Sequence, residues 1–257
     1  MNAPVKTLLF DFGGTLDADG VAWKERFHAL YRAAGLDVTS DAFAPAFYAA
    51  DDQLVGGLPP KTDLSGTVHA LTVNLESELA RRCAESKSES GGDRGRRIAS
   101  GFMSECVATF ERNQPVLKAL SERYQLGIVS NFYGNLEAVC EGAGLCPFFK
   151  VMVDSHCVGA EKPDPVIFRA ALERLGATPE KTVFIGDSLR RDREGARRMG
   201  MRFIWVAPPD VQARQSERQA EPAVAGMALD LSPVVELRTL TFPMSSAVVR
   251  NWPSACT

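Results

Sequence analysis

Four short polar segments of the chain carry residue types that act in catalysis or metal binding. Each comes after a short apolar run, so each is expected at the end of a buried strand. In an open parallel sheet, ligands bind at the carboxyl ends of the strands, and the four segments would therefore meet at one edge. In chain order they are Asp11-Phe12-Gly13-Gly14-Thr15, Ser130-Asn131, Glu161-Lys162-Pro163-Asp164-Pro165, and Gly186-Asp187-Ser188 with Asp192.

The charged residues of these segments have defined chemical roles. Asp11 could act as a nucleophile or as a metal ligand, or it could simply cap its turn. Lys162 is a compact positive charge that could neutralise a phosphoryl group, and the prolines after it fix the chain. Asp187 and Asp192 supply oxygen ligands of the kind that Mg²⁺ prefers. Three acids at one sheet edge repel one another unless a cation is bound, so the sequence predicts a divalent metal.

The glycines and hydroxyl groups of the first two segments suit an anionic ligand. Gly13 and Gly14 let the backbone approach a ligand closely. The hydroxyl of Ser130 and the backbone N–H groups beside it can hold a phosphate oxygen at a strand end. Capping of the following helix is the alternative role for Ser130 and Asn131.

Short apolar runs rich in β-branched residues predict the strands that position these segments. The first run is Thr7–Phe10, and the others cover residues 126–129, 151–153, 182–185 and 202–206. Helical patterns, such as Pro165–Leu175 and residues 190–199, lie between the later runs. This alternation predicts an α/β fold with a doubly wound, Rossmann-like parallel sheet covered by helices.

A long helical segment interrupts this alternation. Residues 21–114 contain no convincing strand, while Trp23, Phe27, Leu30 and Tyr31 repeat at helical spacing, and residues 68–79 form another helical pattern. The sequence therefore predicts two domains. Residues 1–17 and 115–257 would form the α/β core, and residues 18–114 would form an inserted helical domain.

The composition excludes several classes of protein. Hydrophobic residues make up 45% and charged residues 24% of the 257, which is typical of globular proteins. The net charge of −3 offers no basic field, so we expect no nucleic-acid partner and no membrane partner. The first 20 residues lack a basic stretch followed by an apolar run, and the six cysteines form no C-x-x-C pair. We therefore expect reduced cysteines and a cytoplasmic protein.

The four segments, in this order, resemble the four motifs of the haloacid dehalogenase (HAD) superfamily of aspartate-nucleophile hydrolases. The matching residues are 8–16, 128–131, 161–165, and 184–188 with Asp192 and Gly195-Ala196. The resemblance runs from about residue 5 to residue 207. The helical insert also falls where that family has a helical cap domain.

This resemblance implies Mg²⁺-dependent hydrolysis of a small phosphorylated metabolite. Asp11 would attack phosphorus and form an aspartyl-phosphate, and Lys162 would stabilise the charge. The implied substrate-binding residues are Thr15, Ser130 and Asn131. The implied metal ligands are Asp11, Asp187, Asp192 and the backbone carbonyl of Gly13.

Position 13 departs from the family pattern. Family phosphatases usually have a second Asp there, which acts as the general acid for the leaving group and as the base for water. Gly13 keeps the backbone oxygen but has no proton to give. General acid–base catalysis contributes about 10²–10⁴ in rate. Either another group supplies the proton, or the substrate does not need one.

This departure leaves four functions open. The first is a phosphatase in which Asp17, Asp19 or a cap residue handles the proton, or in which the leaving group needs little protonation. The second is a phosphonate-type or other HAD hydrolase, for which Lys24 and Lys61 are imperfect candidates to form a Schiff base. The third is a 2-haloacid dehalogenase, although the acids of the fourth motif argue against it. The fourth is a non-catalytic HAD-like protein that binds a phosphorylated ligand or a protein partner.

Overall fold

Five parallel strands form one sheet at the centre of the α/β part. The computed structural model of the chain describes residues 4–82, 91–208 and 210–211. The sheet has the strand order β3-β2-β1-β4-β5. In chain order the strands are β1 (Thr7–Phe10), β2 (Gln125–Ser130), β3 (Val151–Asp154), β4 (Thr182–Gly186) and β5 (Arg202–Trp205).

The α-helices within the described residues fall into two groups. Four lie between β1 and β2, and they are α1 (Trp23–Ala33), α2 (Ser40–Asp52), α3 (Leu64–Arg82) and α4 (Gly91–Ser121). Four others connect the later strands, and they are α5 (Leu136–Gly142), α6 (Ser155–Val158), α7 (Pro165–Leu175) and α8 (Glu194–Met199). Parallel strands joined through helices confirm the predicted α/β fold class.

The central strand β1 explains why the first motif is buried. Leu8 pairs with Leu126 of β2 on one side and with Val183 of β4 on the other, and all three are fully buried. The chain builds β1, β2 and β3 towards one edge and then crosses to place β4 on the other side of β1. The carboxyl ends of β1 and β4 therefore flank the topological switch point, where such sheets bind ligands.

Aromatic residues pack the helices of the insert against one another. The rings of Phe27 on α1 and Phe102 on α4 stack with centroids 4.5 Å apart. Phe43 on α2 packs against Tyr31 on α1 with centroids 5.7 Å apart. The helical spacing of Phe27 and Tyr31 in α1 thus reflects packing inside the insert. The helix α4 runs without interruption through residues 114 and 115, where the sequence places the boundary between insert and core.

The helix predicted over residues 190–199 is divided. Leu189–Arg193 forms a wide π-helical turn, and the α-helix α8 begins only at Glu194. Within this turn the backbone N–H groups of Asp192 and Arg193 both donate to the carbonyl of Ser188, at 2.9 and 3.2 Å. The side chain of Asp192 is completely buried. The wide turn therefore directs an acid of the fourth motif into the protein rather than into solvent.

Two further expectations concern cysteines and membranes. The four cysteines that the structure describes are free thiols, and Cys83 and Cys256 lie outside the described residues. Residues 212–257, which the sequence assigns to the core, also lie outside the described residues. Of the helices in the described ranges, none combines the length and apolar character that a membrane crossing requires.

Candidate active site

Asp11 lies directly after β1, and one of its two carboxylate oxygens is surrounded by donors. Oδ1 accepts hydrogen bonds from the backbone N–H of Phe12 at 2.7 Å and from the hydroxyl of Ser130 at 2.9 Å. The ammonium group of Lys162 lies 2.7 Å from the same oxygen. No described residue donates a hydrogen bond to Oδ2. The three donors thus fix the plane of the carboxylate and leave Oδ2 available to a substrate or a metal.

Lys162 is the buried positive charge of this site. Its Nζ lies between Asp11 and Asp192, 2.7 Å and 2.8 Å from their Oδ1 atoms. Burial alone would lower the pKa of Lys162, but the two carboxylates outweigh it and the net shift is upward. The side chain of Asn131 holds the backbone of Lys162 by accepting from its N–H at 2.7 Å and donating to its carbonyl at 3.2 Å. Lys162 is therefore charged and fixed in place.

The acids of the first and fourth motifs meet at the sheet edge, as the sequence predicts. Asp11, Asp187 and Asp192 each offer an oxygen, and these three atoms lie within 4.8 Å of one another. Burial, followed by the charges of Asp11 and Asp192, raises the pKa of Asp187 to about 8. Burial also raises the pKa of Asp192 to about 6, although Lys162 opposes this shift. An all-oxygen set that holds more negative charge than its surroundings neutralise is suited to a hard divalent cation.

The individual oxygens of the three acids are not equally available. Both oxygens of Asp192 are occupied, one by Lys162 and the other by the backbone N–H of Ser188 at 2.9 Å. Oδ1 of Asp187 accepts a hydrogen bond from the Thr15 hydroxyl at 3.1 Å, and no described residue donates a hydrogen bond to its Oδ2. The Oδ2 atoms of Asp11 and Asp187 are therefore the most available ligands, whereas Asp192 mainly orients Lys162 and its own loop.

The turn after Asp11 requires glycine at one position and not at the other. Gly14 has a φ of +85°, and a Cβ there would lie 2.6 Å from Asp187 Oδ2, so only glycine fits. Gly13 does not adopt a left-handed φ. A Cβ at Gly13 would lie 3.3 Å from the indole nitrogen of Trp23, which covers this position. Sequence reasoning missed this neighbour, since helical spacing places Trp23 only within the insert.

Asp17, one of the two acids considered as an alternative proton donor, is fully buried in structural contacts. Its Oδ1 accepts from the backbone N–H of Gly14 at 2.7 Å. Its Oδ2 accepts from the indole N–H of Trp23 at 2.6 Å and from the guanidinium of Arg26 at 2.9 Å. Arg26 in turn stacks over the ring of Phe102 at 3.8 Å. Asp17 therefore anchors the turn to the insert.

Asp19, the other acid considered for proton transfer, is also engaged. Its two oxygens accept from the guanidinium of Arg112 on α4 at 2.6 and 2.8 Å. Asp19 is about half exposed, so this pair lies at the surface. The contact connects the turn after Asp11 to a second helix of the insert.

Aromatic residues from both parts of the chain close the side of the site next to Gly13. Phe132 and Tyr133 follow Asn131, and their rings lie 6.1 and 6.5 Å from that of Trp23. The hydroxyl of Tyr133 donates a hydrogen bond to Asp51 near the end of α2. We call Trp23, Phe132 and Tyr133 the aromatic wall.

Comparison with known proteins agrees with this arrangement. A family model for haloacid dehalogenase-like hydrolases matches residues 5–200, which is well over half of the chain. Haloacid dehalogenase-like hydrolase domain-containing protein 3 of Bos taurus is 31% identical over 184 residues, covering 70% of this chain and 72% of that protein. A phosphoserine phosphatase of Thermus thermophilus is 32% identical over 149 residues, covering 54% of this chain and 57% of that protein.

Two further matches are more limited. A glyceraldehyde 3-phosphate phosphatase of Methanopyrus kandleri is 48% identical over 63 residues, covering 24% of this chain and 27% of that protein. A crystal structure of a dehalogenase with an intermediate complex has a TM-score of 0.52 at 16% identity, covering 81% of this chain and 88% of the other. That structural likeness concerns the fold alone. With the family model matching residues 5–200 and the bovine relative spanning most of this length, the chain belongs to the haloacid dehalogenase-like hydrolases and is a hydrolase.

Proposed function

We propose that this hydrolase is a Mg²⁺-dependent phosphoric monoester hydrolase that acts on a small phosphorylated metabolite. The reaction would proceed through an aspartyl-phosphate on Asp11. The observation that supports this most directly is the environment of Asp11, where three donors hold Oδ1 and no described residue donates to Oδ2. Phosphatases among the relatives support a phosphorylated substrate.

The residues around Asp11 would each contribute to phosphoryl transfer. Oδ2 of Asp11 would attack phosphorus, and a nucleophilic carboxylate divides one displacement into two easier steps. Lys162 balances the charge of the carboxylates so that a phosphate dianion can approach. A bound Mg²⁺, held by Asp11, Asp187 and the Gly13 carbonyl with Asp192 beside it, would further neutralise the developing charge. Water would then release phosphate from Asp11.

Three residues remain proposed contacts of the phosphate. Thr15 and Ser130 bring hydroxyl groups to the same acids, at 3.1 Å from Asp187 and 2.9 Å from Asp11. A substrate phosphate among these acids would lie within reach of both hydroxyls. Asn131 lies next to Ser130 and fixes Lys162. We infer that all three help to hold the phosphate, with Asn131 acting at least through Lys162.

The helical insert fits the role of a cap over this site. Trp23 of α1 covers Gly13, and Asp51 of α2 accepts a hydrogen bond from Tyr133 beyond the end of β2. We propose that residues 18–114 form this cap and that residues 1–17 and 115–257 form the core. A cap that shuts out water strengthens the electrostatic interactions at the acids below it. Cytoplasmic localisation is part of the same proposal.

The alternative reactions have less support from the geometry. Lys24 pairs with Glu25 at 3.0 Å, Lys61 is exposed, and neither contacts Asp11, so neither of these two lysines is positioned for a Schiff base there. Asp187 and Asp192 beside the nucleophile favour a metal-assisted reaction over dehalogenation.

The decisive experiment is hydrolysis of an aryl phosphate with Mg²⁺ and with a chelator. Wild type should turn over only with Mg²⁺, and Asp11→Asn should lose this activity. Asp19→Asn is the matched control, because it removes a carboxylate of the same loop that pairs with Arg112 at the surface. Equal activity in wild type and Asp11→Asn would refute the proposal. So would a wild type that hydrolyses no phosphate ester, and the non-catalytic interpretation would then be preferred.

A further inference from the structure

Several of the acids around the strand ends are held by fixed partners. Asp187 and Asp192 belong to the metal and lysine cluster described above. Asp17 is held by three donors, and Asp19 is held by Arg112. Asp51 accepts the hydroxyl of Tyr133. Asp17, Asp19 and Asp51 are therefore engaged in other contacts, and Asp187 and Asp192 are assigned to the metal and to Lys162.

The indole of Trp23 packs against position 13, where an acid would otherwise be expected. The backbone at Gly13 would accept any residue, since its φ is not in the left-handed region. A side chain there would instead press on the indole of Trp23, whose Nε1 lies 3.3 Å from where a Cβ would be, so the indole would have to shift by a few tenths of an ångström. Asp17 fixes the indole through the hydrogen bond to Nε1 at 2.6 Å. The absence of an acid at position 13 is thus part of a packed arrangement.

Asp17 is the nearest acid to Trp23, and it is unsuited to proton donation. Its two carboxylate oxygens already accept hydrogen bonds from the Gly14 N–H, the Trp23 indole N–H and the Arg26 guanidinium. A proton on either oxygen would point at one of these donors, so the neutral acid is disfavoured. Its side chain is fully buried and cannot reach a substrate. Burial raises the pKa of Asp17, but Arg26 opposes that shift.

Tyr133, which contacts Asp51, is a further candidate, and its hydroxyl is poorly suited to proton donation. The Tyr133 hydroxyl already donates its proton to Asp51. Burial and then the Asp51 charge raise the pKa of Tyr133 well above its usual range, which makes it a weaker acid. The rings of Phe132 and Tyr133 contact the ring of Trp23, which itself lies beside Gly13.

From these contacts we propose that the site is specialised for acyl and aryl phosphates, whose leaving group departs as a stable anion without a proton. The inference rests on the proposed phosphatase function and names its substrate class. Carboxylates and phenolates delocalise the charge that a proton would otherwise neutralise. A planar leaving group would also suit contact with the aromatic wall of Trp23, Phe132 and Tyr133.

The two steps balance without an acid in the protein. Asp11 Oδ2 forms the bond to phosphorus while the bond from phosphorus to the leaving oxygen breaks. The electron pair leaves with that oxygen as a carboxylate or phenolate. Water then attacks the aspartyl-phosphate and gives the Asp11 carboxylate and dihydrogen phosphate, which carries the proton away to solvent.

The test is the dependence of kcat/KM on the leaving group. Wild type would be assayed in Mg²⁺ with aryl phosphates of graded phenol pKa, with acetyl phosphate and with glycerol phosphate. We expect kcat/KM to fall steeply as the leaving-group pKa rises, with glycerol phosphate slower than the most reactive aryl phosphate by about 10²-fold or more. Similar rates for glycerol phosphate and the aryl phosphates would overturn the inference and leave the phosphatase proposal intact. No Mg²⁺-dependent turnover of any of these compounds would overturn the phosphatase proposal itself.

A pair of variants tests the origin of this dependence. Trp23→Phe makes room beside Gly13 and keeps an aromatic ring, and Gly13→Asp in that background supplies an acid. The double variant should hydrolyse glycerol phosphate about 10²-fold faster than Trp23→Phe alone. If the double variant does not fold, the dependence of wild-type kcat/KM on the leaving-group pKa still decides whether the inference holds. An Asp51→Asn variant that makes the dependence steeper would identify Asp51 as the acid and would also overturn the inference.

Discussion

The guanidinium of Arg26 lies 2.9 Å from the carboxylate of Asp17, and the two side chains are only 5% and 0% exposed. This buried ion pair joins helix α1 of the insert to the turn that follows the nucleophile. Asp17 also accepts a hydrogen bond from the backbone N–H of Gly14. The ion pair therefore fixes the turn that follows Asp11, which packs against Asp187. The insert therefore contributes to the geometry of the acids.

Breaking this pair should destabilise the protein strongly. Arg26→Met leaves the Asp17 charge buried without its partner, which typically costs about 3–5 kcal/mol. The matched control is Arg112→Met, because Arg112 pairs with Asp19 at the surface, where such pairs contribute about 0–1 kcal/mol. Chemical denaturation of both variants measures the difference. Equal losses would show that burial of the Asp17 pair has no special effect.

Gly14 should be irreplaceable for a reason beyond its backbone conformation. Gly14 and Gly35 have similar φ values of +85° and +89°, so alanine is strained at both. A Cβ at Gly35 has no atom within 4 Å, whereas one at Gly14 would lie 2.6 Å from Asp187. Gly35→Ala should thus lose only stability, and Gly14→Ala should also lose Mg²⁺-dependent activity by at least about tenfold. Mg²⁺ titrations of activity in both variants test this, and equal activities would exclude a role for the close approach.

The sheet could be predicted because buried parallel strands leave a strong apolar signal. The runs for β1 and α7 were predicted with the bounds that the structure shows. Helix α7 is especially clear, since Asp164 caps it, Pro165 begins it and Gly176 ends it with a φ of +59°. Strand β2 is longer than its predicted apolar run. The pattern misses its last residue, Ser130, because that residue is polar and its hydroxyl faces the site.

The convergence of the acids was also predictable, but their neighbours were not. Asp17 and Asp19 are the same residue type two positions apart, yet one is buried against Arg26 and the other pairs with Arg112, 93 positions away. Only the packing of the insert decides between these outcomes. The position of Trp23 over Gly13 has the same origin, since helical spacing shows that Trp23 is buried without showing what it covers.

Asn131 should affect catalysis through Lys162. Asn131→Ala removes both hydrogen bonds to the Lys162 backbone, so the ammonium group loses its fixed position between Asp11 and Asp192. We expect kcat for an aryl phosphate to fall about tenfold with a smaller change in KM, as for a positioning residue. Asn74→Ala is the matched control, since Asn74 donates only to a carbonyl inside the insert. An increase in KM alone would instead favour direct phosphate binding by Asn131.

The stability of the metal-free protein should fall as the pH rises. The pKa values of Asp187 and Asp192 are raised to about 8 and about 6 in the folded chain, above the value of about 4 for an exposed Asp. Between about pH 4 and pH 8 the folded protein therefore holds protons that the unfolded chain releases, and the free energy of unfolding decreases with pH. Each kcal/mol lost from the free energy of unfolding should lower the Tm by about 2–4 °C for a chain approaching this size.

Mg²⁺ should reverse this trend, because a cation takes the place of the protons among the acids. The increase in Tm on adding Mg²⁺ should accordingly be larger at pH 8 than at pH 5. Asp187→Asn should flatten the pH dependence in chelator and reduce the Mg²⁺ effect, whereas Asp63→Asn, which removes an exposed acid near the start of α3, should leave both unchanged. Thermal unfolding at several pH values provides the measurement. A metal-free Tm that rises from pH 5 to pH 8 in wild type but not in Asp187→Asn would contradict the charge balance described for these acids.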